Sequence, residues 1–128
     1  MKKSNSKNRI VKSIIRPLNT KEKGVMEFLV YKDKSAFVGV CLTFDIIEEG
    51  NNPVLLMRSI RESAELHLKT VRKNNMPNDL LNRYAPQEYW EKYFKVTDQI
   101  KTQSKKNTNN YPVVSPYTQS RLSTLQFA

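Results

Sequence analysis

The sequence predicts an α+β domain: a three-stranded antiparallel sheet and a helix in the order β-β-β-α, then a second helix, with flexible basic tails on either side. Three observations carry that expectation. Runs rich in aromatic and β-branched residues fill positions 26–49, separated by short polar stretches. From Pro53 onward the apolar residues recur at helical spacing. The surplus positive charge lies almost entirely outside this region.

The first strand is Met26-Glu27-Phe28-Leu29-Val30-Tyr31, and the polar stretch Lys32–Ser35 has hairpin length. Ala36–Leu42 is the second strand, and its nearly continuous apolarity predicts burial on more than one side. Gly39 within it marks a bulge or a close backbone approach. Thr43-Phe44-Asp45 leads into Ile46–Glu49, a short third strand closed by Gly50.

Asn51-Asn52-Pro53 opens the helix. An Asn side chain at the cap accepts a free backbone N–H, and proline at the first helical position has no N–H to leave unpaired. Pro53, Met57, Ile60, Ala64, Leu68 and Val71 then form one face, with Arg58, Arg61, Glu62, Glu65, Lys69 and Arg72 largely away from it. Asn74, Asn75 and Pro77 end it. A second helix starts near Pro86 and runs towards Ile100 with an aromatic stripe of Tyr89, Trp90, Tyr93 and Phe94. Residues 101–110 have linker composition. The prolines in Tyr111–Tyr117 favour extended chain, which either adds an edge strand or stays loose.

The net charge of +10 divides unevenly along the 128 residues. Residues 1–23 hold eight Lys or Arg against one acid, residues 24–96 hold ten of each, and residues 97–128 hold four against one. The expected organisation is therefore a basic arm (1–23), a neutral α+β domain (24–96) and a polar tail (97–128). Lys2, Lys3, Lys7, Arg9, Lys12 and Arg16 are candidates for contacting DNA or RNA phosphates, in competition with plain solvation of a charged arm. No apolar run reaches the roughly 20 residues that a membrane helix needs. The apolar positions near the start are interrupted by Lys12 and Ser13, unlike a secretory signal, although an acid-poor basic start also suits a transit peptide. With a single cysteine, a reducing cytoplasm is the expected compartment.

Catalytic groups are scarce. His67 is the only histidine and sits near the apolar helix face, while Cys41 lies in an apolar strand, where a thiol is expected to be inert. One His and one Cys fall short of a usual zinc ligand set, and three glycines build no phosphate-cradling loop. Among the acids, strand alternation sends Glu48 and Glu49 to opposite faces, so they do not jointly ligate one ion. The expectation is a protein with no enzymatic activity, metal or cofactor.

The stretch from Phe28 to Leu68 resembles the HicB antitoxin family. Phe37-Val38-Gly39-Val40 matches the second strand of that family, and Ile46-Ile47-Glu48-Glu49-Gly50 its short strand and glycine before the helix. Asn51 and Asn52 match the small polar cap, and Ala64-Glu65-Leu66-His67-Leu68 the end of the helix. Residues 97–128 show no helix-turn-helix or ribbon-helix-helix pattern of the kind many members use on operator DNA, and no strand is evident directly after the main helix. The resemblance implies a partial RNase H-like fold without nuclease residues. It also implies docking on a small, basic, mRNA-cleaving toxin of the HicA type. On that reading Phe44, Asp45, Glu48 and Glu49 meet the toxin. The stripe Tyr89, Trp90, Tyr93 and Phe94 packs on its own sheet or joins two copies into a dimer or larger oligomer.

Overall fold

The structure, a computed structural model, describes residues 18–102 and 110–118. Strands β1 (Lys23–Asp33), β2 (Ala36–Cys41) and β3 (Ile46–Gly50) are followed by helix α1 (Pro53–Lys73), a 3-10 turn (Asn78–Leu81), helix α2 (Gln87–Thr102) and strand β4 (Asn110–Thr118). All neighbouring strands are antiparallel, in the order β3-β2-β1-β4. The class is α+β as the sequence predicts, but the sheet has four strands rather than three. The fourth comes from the segment expected to be tail, so the fold does not end at residue 96. Nor does it begin at residue 24. Asn19 is buried, and its side chain accepts from the Val25 N–H and donates to the Leu81 carbonyl at 2.8 Å each.

Strand alternation explains the layering. Met26, Phe28 and Val30 point to one face of the sheet and pack with Leu56, Ile60, Ala64, Leu68 and Val71 of α1. Leu29, with Val38 and Val40 of β2, points to the other face and meets Trp90, Tyr93 and Val96 of α2. A helix therefore covers each face, which is why β2 is apolar almost throughout.

Gly39 marks a close approach: a Cβ there would run into Ile60 Cδ1 and Leu56 Cγ, so α1 lies directly on the strand. Asn52 caps α1 by accepting from the N–H groups of Val54 and Leu55 at 2.9 and 3.1 Å, with Pro53 at the first position. Asn74 ends it. Among the described residues no helix is long and apolar enough to cross a membrane.

Candidate docking surface at the β3 edge

The register fixes which backbone groups of the sheet face outward. β1 and β2 are joined by the two-residue turn Lys34-Ser35, so Asp33 and Ala36 close as a hydrogen-bonded pair. Bonding alternates from there, so on β1 Leu29 and Tyr31 bond towards β2, while Val30, Phe28 and Met26 bond towards β4. The Glu27 N–H, which donates to Thr43 Oγ on the β2 side, keeps that alternation. On β3 the residues opposite Cys41, Gly39 and Phe37 are Ile46, Glu48 and Gly50, and these bond to β2. Ile47 and Glu49 thus direct their N–H and C=O groups away from the sheet. Among the described residues no strand pairs with that outer side.

The side chains of β3 alternate as well. Glu48 lies on the α1 face, where its carboxylate accepts from Ser59 Oγ at 2.7 Å and Ser63 Oγ at 2.9 Å. Ile47 and Glu49 lie on the α2 face, opposite Val40 and Val38, and both are exposed. Glu49 is one of several negative groups that add to burial in pushing the Tyr31 hydroxyl up to about 12. Asp45 is exposed just before the strand, in a left-handed conformation (φ 60°) that Asp tolerates better than most residues. The outer row of this edge therefore reads acid, apolar, acid: Asp45, Ile47, Glu49.

The four residues expected to meet a partner are thus not one cluster. Phe44 is 3% exposed and its ring lies 5.0 Å from that of His67. The turn of residues 42–45 rotates it into the core while leaving Asp45 outside. Glu48 is committed to α1, so Asp45 and Glu49 are the acids that remain on the open row. Near them lie apolar residues that the sequence reading missed. Ile47 is 42% exposed, and Val54 and Leu55 at the start of α1 are 67% and 53% exposed. Leu55 borders a shallow groove with Glu48, Gly50, Asn52 and Ser59. Alternation from the half-buried Ile46 was the available signal for Ile47.

The other candidates fall elsewhere. Trp90 and Tyr93 are 5% and 3% exposed, packed edge-on at 5.9 Å between ring centres, and Tyr89 and Phe94 flank the same α2 cluster. This stripe fills the protein's own second core. Lys2, Lys3, Lys7, Arg9, Lys12 and Arg16 lie outside the described residues. His67 Nε2 is 2.7 Å from the Leu80 carbonyl, which ties α1 to the 3-10 turn. Burial pushes the Cys41 thiol up to about 11, against weaker opposing hydrogen bonds from Phe44 and Thr43. That thiol is a core residue rather than a nucleophile. Among the described residues no group of three or more His, Cys, Asp or Glu is arranged to hold a metal ion.

Comparison of the chain with protein-family models, with curated proteins and with solved structures finds no match.

Proposed function

We propose that this protein is a non-catalytic binding module of the HicB-like antitoxin type, which docks on and neutralises a small, basic, RNA-cleaving protein in the cytoplasm. The observation that carries this reading is the open β3 edge. Its outward backbone groups are those that strand addition uses for affinity, and its side chains are those that give specificity. Asp45 and Glu49 supply negative charge to a basic partner, which mainly sets association rate and choice of partner. Ile47 supplies the apolar contact between them. The housing of His67 and Cys41 in structural roles fits a module that acts by contact.

The test is co-expression with the ribonuclease encoded in a neighbouring frame, reading growth rescue and RNA integrity. Wild type should rescue, and Ile47→Lys combined with Glu49→Lys should fail to rescue while remaining folded. Absence of binding and rescue by the wild type would sink the reading. So would cleavage of RNA or DNA by the purified protein with magnesium or manganese, if replacing Asp45 or Glu48 abolished it.

A further inference from the structure

The outer row of the β3 edge has a complement within the same sequence. Residues 11–16 read Val11-Lys12-Ser13-Ile14-Ile15-Arg16, and alternate positions give base, apolar, base: Lys12, Ile14, Arg16. We infer that the β3 edge accepts residues 11–16 of a second copy of this chain as a fifth, antiparallel strand, and that two copies exchange these arms. The inference rests on the reading of β3 as the docking edge and adds what occupies it when no other partner does.

One antiparallel register satisfies both faces at once. With Ile14 opposite Ile47, Lys12 faces Glu49 and Arg16 faces Asp45, all on the side of the sheet that carries α2. On the other side Ile15 meets the half-buried Ile46, Ser13 meets Glu48, and Val11 meets Gly50, beside Leu56 of α1. Ile47 and Glu49 direct their backbone groups outward, so each exchanges two hydrogen bonds with the residue opposite. A slip by one residue places Lys12 and Arg16 on the α1 side and breaks every pair.

Reach assigns the arm to a second copy. Arg16 and Asn19 are three residues apart, about 11 Å at full extension. Asn19 is held against Val25 on the β2 side of β1 by two hydrogen bonds of 2.8 and 3.1 Å. The place beside β3 lies two strand spacings further across, roughly 10 Å, and some two residues higher along the sheet. An arm from the same chain has no slack to round the turn at residues 42–45. A partner's arm has no such tether, and reciprocal exchange makes a closed two-fold pair.

The test pairs Ile14→Cys in one tagged copy with Ile47→Cys in a differently tagged copy. Opposed Cα atoms in such a pair lie about 5.5 Å apart, within disulfide reach. Mild oxidation of the mixture should give a disulfide joining the two tags, while buried Cys41 stays unreacted. Sedimentation should find wild type dimeric, Glu49→Lys with a dimer roughly tenfold weaker, because two cross-strand ion pairs become repulsions, and Lys12→Glu with Glu49→Lys restored. No disulfide between tags, or one formed only within a chain carrying both cysteines, overturns the exchange, as does failure of the double charge swap to restore association. These readouts need no ribonuclease. A positive crosslink with failed growth rescue refutes the proposed function alone, and the converse refutes the exchange alone.

Discussion

The two edges of this sheet are built on opposite principles. At the β3 edge the outward positions are Ile47 and Glu49, both with backbone N–H groups. At the β4 edge the pairs Val30–Tyr111, Phe28–Val113 and Met26–Ser115 are the bonded ones, so Pro112, Val114 and Pro116 face outward. Two of those three positions carry no donor. Proline is tolerated there because its missing N–H is not needed for the ladder, and its presence blunts the edge against further pairing. Val114, 56% exposed, keeps the one remaining outward donor of the three. The contrast teaches that an exposed apolar residue on an edge is not by itself a docking signal. What distinguishes β3 is the intact backbone beside it and the charge on either side.

β4 is also anchored into the core in a way β3 is not. Tyr117 is 1% exposed, its hydroxyl donates to the Thr20 carbonyl at 2.7 Å, and the Arg72 guanidinium lies 5.6 Å over its ring. Tyr117→Ala should therefore cost about 3–5 kcal/mol, as for other buried aromatic residues. Ile47→Ala should stay within about 0.5 kcal/mol, as for an exposed site. Equilibrium denaturation of both variants checks the difference, and equal losses would break the comparison.

The same anchor predicts an alkaline limit. Burial raises the Tyr117 hydroxyl from 10.0 to about 12, despite the opposing pull of Arg72, and the Cys41 thiol from 9.0 to about 11. Both groups ionise first in the unfolded chain, so above about pH 9 the unfolded state holds fewer protons and stability falls as pH rises. Their contribution is complete below that point and is lost through pH 11 to 12. Melting temperature followed from pH 8 to 11 should decline, and less steeply in Tyr117→Phe.

Smaller effects test how firmly α1 supports the open edge. Gly39→Ala places a methyl group against Ile60 and Leu56 and should cost about 1–3 kcal/mol by overpacking. Asn52→Ala removes the cap beside Gly50 and should cost about 1 kcal/mol. If the cap orders the groove under β3, Asn52→Ala should also speed amide exchange at Val54 and Leu55, while the N–H groups of β4 keep their rates.

How much of this was legible in the sequence follows from where the signals are local. The first hairpin and α1 rest on neighbouring residues: a polar turn, a cap with a proline after it, and a periodic face. β4 rests on pairing with a strand 79 to 95 residues earlier, and its prolines argue locally against a strand. Only its place at the edge, with those prolines turned outward, reconciles the two. At the candidate site, alternation separates Glu48 from Glu49 without any structure. The burial of Phe44 was not legible, because it depends on a turn at Asp45 that tips the ring onto His67, a contact 23 residues away in the chain. The aromatic stripe was legible as a stripe. Its assignment to the second core required knowing that α2 covers the face of the sheet opposite α1.

A modest effect on stability accompanies the variant that asks whether the prolines make β4 quiet. Replacing Pro112 and Pro116 by Val restores two outward N–H groups without disturbing the bonded pairs of the ladder, since neither position bonds to β1. The unfolded chain gains freedom, so each replacement should cost about 0.4–1 kcal/mol. The fold should remain intact by circular dichroism. What should change is association: with three consecutive outward donors around exposed Val114, β4 becomes an open edge, and the variant should self-associate at concentrations where the wild type does not go beyond its native assembly. Adding Val114→Lys to the same variant should reverse that association, because a charge at the centre of the row blocks edge-to-edge pairing. If the double proline variant behaves as wild type in light scattering, the prolines are not what silences this edge, and the distinction between β3 and β4 then rests on charge alone.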